Sequence, residues 1–202
     1  MASTNPFDPG YYTTPELRAF PFARVGENSA IARNCVIVGL ENITIGDNVR
    51  IDAFTSIIAA RGRLKIGSHV HIGIGCVLGA RGGIELCDFS SLSAGVRLLS
   101  AIDEYDGRAM TNSTLPESVL RVHAAPIRIG RYVPVGTGSL ILPGVEAGEG
   151  AAVGAMSLVN RSLEEWTIYS GNPALPTGPR SRDLLQLEAV LAGQGDDEMG
   201  QA

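Results

Sequence analysis

The sequence predicts an all-β fold, a single-stranded parallel β-helix, and three observations carry that prediction. The first is a ladder of aliphatic residues at intervals of six: Val25, Ile31, Ile37; Ile45, Ile51, Ile57; Ile66, Ile72, Leu78; Leu86, Leu92, Leu98; Ile129, Val135, Ile141; Ala147, Val153, Val159. Seventeen of these eighteen rungs are Ile, Leu or Val, although those types make up only about a quarter of the chain. A hexapeptide period marks a β-helix, in which six residues make one short strand and one corner. The second observation is where the period slips. Between triplets the spacing is eight, nine, eight, thirty-one and six, so every insertion follows a third hexapeptide. A coil with three flat faces explains this, since an insertion at one edge bulges outward without moving the core. The third is the residue two before the rung, which is small or aliphatic at Ser29, Cys35, Val49, Thr55, Val70, Cys76, Val96, Val133, Ser139, Ala151 and Ser157. Period-two alternation points it inward beside the rung. Strands of a β-sandwich do not keep such a phase across whole segments.

The elements follow in order. Residues 1–24 form an N-terminal extension with a short helix, Thr14 reading as its N-cap and Pro15 as its first helical residue. Residues 25–164 make a triangular prism of about six coils. Glycine follows nine of the eighteen rungs, where it is expected to supply the unusual backbone angles of a corner. Residues 102–126 interrupt the prism with an extruded loop that carries Asp103, Glu104, Tyr105, Asp106, Arg108, Asn112 and His123. Loops of this length in compact domains are usually functional or disordered. This one reads as the wall of an acceptor pocket or as a flap over a neighbouring subunit. Residues 165–192 form a C-terminal loop and a helix opened by Ser181-Arg182-Asp183, with Leu184, Leu185, Leu187, Val190 and Leu191 on its apolar face. The polar, Gly-rich stretch 193–202 reads as a disordered tail.

Composition narrows the function. A chain of 202 residues supports one domain with a sizeable core, and a net charge of −5 disfavours a nucleic-acid surface. No stretch is long and apolar enough to span a membrane, and the first residues lack the apolar core of a signal peptide. Cys35 and Cys76 fall at inward positions and Cys87 follows a rung, a pattern of reduced packing residues rather than a disulfide framework. A soluble cytoplasmic protein is expected. Of three histidines, His71 stands one before rung Ile72 and points outward between small residues, His69 lies at the preceding corner, and His123 lies in the loop's return. An outward imidazole on an open face is a candidate general base.

The hexapeptide ladder, the extruded loop and the closing stretches Ile141-Leu142-Pro143-Gly144-Val145, Val153-Gly154-Ala155-Met156-Ser157-Leu158-Val159 and Ser170-Gly171-Asn172-Pro173-Ala174 together resemble the left-handed β-helix acyltransferases. The nearest branch is similar to the galactoside and maltose O-acetyltransferases and related sugar acetyltransferases of cell-surface polysaccharide synthesis. The resemblance covers about residues 20–175. It alone supplies the left hand of the coil, since parallel crossovers are normally right-handed. It implies a homotrimer of parallel prisms, with acetyl-CoA in the groove between neighbours and direct transfer to a hydroxyl or amine, and it calls for no metal. In galactoside acetyltransferases a loop histidine is the base. Here Asp103 stands at the matching position, and His71 matches a position that holds an aromatic residue lining the acceptor pocket. His71 and Asp103 are therefore both candidate bases. Glu104, Tyr105, Asp106 and His123 are candidate acceptor contacts, and the carboxylates of the loop suit an ammonium group. For coenzyme A the resemblance implies Thr137, Ala155 and Ser157 along the pantetheine arm, Asn160 and Arg161 near its outer end, and Asn172 and Pro173 beside the adenine. Where the family often carries a basic residue, this chain has Leu175, leaving Arg180 and Arg182 for the 3′-phosphate. Trp166 suits either the cofactor groove or a cap on the last coil.

His71 closes a first-face hexapeptide and Asp103 a third-face one, so the two meet only across a subunit boundary. Two other readings stand beside the sugar acetyltransferase. One is a zinc enzyme like the γ-class carbonic anhydrases, built on His69, His71 and His123. The other is a non-catalytic β-helix that organises partners.

Overall fold

The structure is a computed structural model that describes residues 5–188 and Val190. Three parallel sheets wrap around one core. The first face stacks Val25, Ile45, Ile66, Leu86, Ile129 and Ala147 as direct Cα partners from coil to coil. The second stacks Ile31, Ile51, Ile72, Leu92, Val135 and Val153, and the third Ile37, Ile57, Leu78, Leu98, Ile141 and Val159. The eighteen rungs of the sequence are thus the rungs of the solid. All but Ile37, which lies near the open end, are buried. The residues two before them are buried as well, apart from Ala23 and Cys35 in the first coil. The coil continues past the last of these rungs: Leu163 bridges Ala147 on the first face, and the strand Thr167–Ser170 adds Tyr169 beside Val153 on the second. A seventh turn therefore begins where the strict ladder ends.

The glycines after the rungs do not turn the corners. None of Gly26, Gly46, Gly67, Gly130 and Gly136 has a positive φ. What excludes a side chain there is the next coil: a Cβ on Gly46 would lie 2.6 Å from the carbonyl carbon of Gly67, and one on Gly136 2.5 Å from the Ala155 nitrogen. The left-handed residue comes two positions later, and it is often not glycine. At the corner between the first and second faces it is Asn28, Asn48, His69, Phe89, Tyr132, Gly150 and Trp166 on successive turns. Asn and His tolerate this region better than most residues. The aromatic members offset their backbone cost by stacking: His69 on Phe89 at 4.7 Å, Phe89 on Tyr132 at 5.4 Å, and Trp166 tilted against Tyr132 at 6.3 Å. Gly150 makes room for Trp166, whose ring would sit 2.5 Å from a Cβ there. Trp166 is a buried rung of this corner.

Every insertion leaves from the third corner, between the third and first faces. The longest forms a two-stranded arm in which Ala101–Asp103 pairs antiparallel with Val122–Ala124, with a further bridge from Met110 to Leu120. At the other end, Tyr11–Tyr12 pairs antiparallel with Ala30–Ala32 on the second face. The helix that follows spans Thr14–Arg18 and is capped one residue earlier than the sequence implies. Thr13 is the N-cap, tied to the Glu16 carboxylate at 2.8 Å, while the Thr14 hydroxyl is buried and bonds both backbone groups of Ser29. Past Pro179, residues 184–188 are helical. The expected apolar residue Leu191 and the expected tail 193–202 lie outside the described residues.

Candidate active site

The residue before each second-face rung points outward, so Arg50 and His71 stand on neighbouring coils as direct Cα partners. His71 begins the second-face strand His71–Ile72, so it belongs to that face and not to the first. Its exposed ring places Nε2 2.8 Å from Oδ2 of Asp52. Asp52 occupies the slot after rung Ile51 that glycine fills elsewhere. Its Oδ1 accepts from Arg50 Nε at 2.7 Å and from the Tyr11 hydroxyl at 2.8 Å, and Arg50 Nη2 reaches the same hydroxyl at 2.9 Å. Burial alone would push the Asp52 carboxyl up, but the hydrogen bonds from His71, Arg50 and Tyr11 outweigh it and hold it below its ordinary value. Asp52 is thus a carboxylate, so the shared proton lies on Nε2 of His71. Asn48 and His69 complete a groove of about 520 Å³ over this face, with Asn48 Nδ2 3.4 Å from His69 Nε2. Asp52, Arg50, Asn48 and Tyr11 escaped the sequence reading. The legible signal was positional: a carboxylate in a glycine slot, between two outward-pointing polar residues one coil apart.

Asp103 lies elsewhere. It pairs with Val122 in the arm and lines a cavity of about 370 Å³ with Arg81, Tyr105 and the outward Ile58 of the third face. Within the chain His71 and Asp103 do not meet. Neither do all the arm residues gather at one point. Asp103 and Val122 share one side of the ribbon, whereas His123, opposite Ile102, projects from the other. Tyr105 is exposed, Asp106 turns back to its own loop by accepting from the Arg108 amide, and the Glu104 amide bonds Arg121. Among the described residues no three His, Cys, Asp or Glu side chains form a group able to hold a metal ion.

The residues matched to coenzyme A contacts fall at three corners. Thr137, Ala155, Asn172 and Pro173 follow the second face, where the left-handed corner positions are Phe54, Gly75, Gly95, Gly138 and Met156, so the edge is open at Gly75 and Gly95 and carries the exposed Met156 side chain over Gly138. Ser157 is buried: its hydroxyl donates to Gly154 and accepts from the Gly171 amide, its own amide donates to the Ser139 hydroxyl and its carbonyl accepts from Leu140, so it braces the corner from inside rather than facing a ligand. Asn160 and Arg161 are exposed beyond the third face. Arg180 and Arg182 stand at the aromatic corner. Arg180 Nη1 is committed to the carbonyls of Tyr132, Gly150 and Ala151, the shortest at 2.6 Å, and Arg182 lies over the Trp166 ring at 5.0 Å. Arg180 is therefore a tie that holds the C-terminal segment to the prism.

No family model matches the chain. It is 36% identical over 181 residues to dTDP-4-amino-4,6-dideoxy-D-glucose acyltransferase of Escherichia coli, a match that covers 90% of this chain and 94% of that one. AntD, an N-acyltransferase from Bacillus cereus solved with dTDP and 3-hydroxybutyryl-CoA, superposes with a TM-score of 0.87 at 35% identity, covering 93% of this chain and 98% of AntD. A further AntD structure, with a serine replaced, holds dTDP-4-amino-4,6-dideoxyglucose and coenzyme A, and another, with an aspartate ten residues further on replaced, holds dTDP and coenzyme A. The lipopolysaccharide biosynthesis O-acetyl transferase WbbJ of Escherichia coli is 27% identical over 140 residues, 66% of this chain and 67% of that one.

Proposed function

The chain belongs to the hexapeptide-repeat sugar acyltransferases, enzymes served by coenzyme A thioesters, and within that family we propose that it N-acylates a nucleotide-linked amino sugar. The likeness along nearly the whole chain to a dTDP-4-amino-4,6-dideoxy-D-glucose acyltransferase and to the N-acyltransferase AntD carries this reading. So does the sequence: Ser93 and Asp103 are the only serine and aspartate that stand ten residues apart in that order, the spacing of the two AntD positions.

In the proposed reaction Asp103 holds the ammonium of the acceptor and accepts one of its protons. The freed amine lone pair attacks the thioester carbonyl carbon. The C–S bond then breaks as the amide forms, and the leaving thiolate takes up a proton to give coenzyme A. An amine that has lost its proton needs no stronger base, which suits a site with a carboxylate in place of the loop histidine. The thioester arm lies along the glycine-lined second corner, against backbone at Thr137 and Ala155, with Asn172 and Pro173 further along. Arg182, whose guanidinium is held by no carboxylate among the described residues, is left to meet the far phosphate of coenzyme A.

The active assembly is a homotrimer in which the arm of one subunit reaches the second face of the next. Supporting this is the outward apolar surface of the third face and second corner, where Val36, Val38, Phe54 and Ile58 are each about half or more exposed. We place the enzyme in the cytoplasm, in keeping with its three free thiols. Among the described residues no helix is long and apolar enough to cross a membrane.

The test measures thiol release from acetyl-CoA and 3-hydroxybutyryl-CoA with free sugars, free amino sugars and nucleotide-linked amino sugars. Turnover confined to the last group is expected, and Asp103→Asn should lower kcat by about 10²-fold with acyl-CoA binding retained. Transfer to sugar hydroxyls alone would refute the proposal.

A further inference from the structure

A nucleotide-linked acceptor brings two negative phosphates, and they need a cationic cradle within reach of the reacting amine. Four surfaces carry clustered cations. Under the arm, Arg61 is already paired with Glu117 at 2.5 Å, and that carboxylate lines the same cavity as Arg81. On the first face, Lys65 and Arg128 alternate with Glu85 and Glu146 in a ladder of ion pairs of 2.7 to 3.4 Å, which commits both to two carboxylates and leaves only Arg63 of that cavity outside the ladder. At the aromatic corner, Arg131 pairs with Glu188 and Arg180 is spent on carbonyls. The groove on the second face differs. Its lining offers Arg50, His69, His71 and Asn48 as donors, and its one carboxylate, Asp52, already takes three hydrogen bonds from the groove's own side chains and Tyr11.

The geometry points to this groove as the diphosphate subsite of the acceptor, with Arg50 and His71 as its principal contacts and Asp52 as the residue that positions both. Asp52 fixes Arg50 through Nε and His71 through Nε2, so one guanidinium edge remains for ligand oxygens, and the Nδ1 edge joins it where the bound phosphates bring a second proton onto the ring. Position supports the assignment. Ser91 is the Cα partner of His71 on the following coil, and Ser93 stands two residues beyond it. Neighbouring coils are separated by roughly 4.8 Å, so Ser93 and Asp52 are about 10 Å apart along the prism axis. A pyranose ring spans such a distance when a hydrogen bond is counted at its amine and another at its phosphate. The inference rests on the nucleotide-linked acceptor proposed above, and it gives His71 a binding role in place of a basic one.

The test compares wild type with Arg50→Gln and His71→Asn. Titration calorimetry with dTDP alone is expected to show binding weakened about tenfold or more in each variant, with the acceptor KM raised in parallel and the acyl-CoA KM unchanged. At saturating acceptor kcat stays within about threefold of wild type. Should Arg50→Gln fail to fold by circular dichroism, His71→Gln and His71→Asn carry the comparison. A fall in kcat with unaltered dTDP affinity would overturn the inference and make the cluster part of the chemical step. If wild type turns over nucleotide-linked amino sugars and neither variant differs from it, the subsite is also wrong while the acceptor class stands. If wild type neither binds dTDP nor turns over such acceptors, the acceptor class itself fails.

Discussion

Asp52 shows how one carboxylate can organise a surface that would otherwise repel itself. Arg50 and His71 project from neighbouring coils at the same register, and the charge between them lets both approach. The pH dependence follows in sign. Burial raises the Asp52 carboxyl, but its hydrogen bonds win and the folded-state value lies below the ordinary 3.8. A carboxyl lowered by folding contributes stability that is fully present above its unfolded value and is lost as pH falls through the folded one. The stability difference between wild type and Asp52→Asn should therefore be constant above about pH 5 and shrink below pH 4. Urea unfolding at several pH values checks this. A difference that grows on acidification would show that Asp52 is not held as a carboxylate. Sequence alone did not single out this residue. Two of its partners lie 41 residues upstream and 19 downstream: the pitch of the coil delivers His71, and the antiparallel pairing of Tyr11–Tyr12 with Ala30–Ala32 delivers Tyr11.

Among the elements, strands were legible and corners were not. A rung such as Ile51 announces itself because its inward partners recur at the same phase, and each face repeats the signal on every turn. A corner has no such redundancy. Asn48, His69, Phe89 and Tyr132 share one backbone conformation but no side-chain type, so nothing in their identity marks the position. The glycines drew attention to a neighbouring position, where the physical demand is close packing between coils. The arm was legible only as an interruption. Its strands are three residues long on each side, too short for alternation to emerge, and its pairing joins residues some twenty apart. Because the arm leaves from the insertion-tolerant corner and pairs with itself, the prism should fold without its outer part. Replacing residues 105–120 by a two-residue turn is expected to shift the melting temperature by no more than about 5 °C, while abolishing acyl transfer. Loss of the cooperative melt would show that the arm is part of the core fold.

At the scale of the whole molecule, the separation of two sets of groups within one chain is the informative fact. Asp103 stands on an arm that leaves the third corner, whereas Arg50, His71 and Ser93 belong to the second face and its edge. If a site needs both, it needs two chains, and a closed ring of identical chains supplies each arm with exactly one face. This gives a quantitative expectation. Asp103→Asn chains have a dead arm and an intact face, and Arg50→Gln chains have the reverse when assayed far below the acceptor KM. In the proposed homotrimer, each variant alone is then nearly inactive. In trimers reassembled from equal amounts of both, a working site requires an arm from the second variant and a face from the first, and roughly one site in four meets that condition. Recovery of about a quarter of wild-type activity on mixing, absent when the two trimers are combined without dissociation, would establish a shared site. Activity that stays at the level of the separate variants would place the whole of the chemistry within single chains.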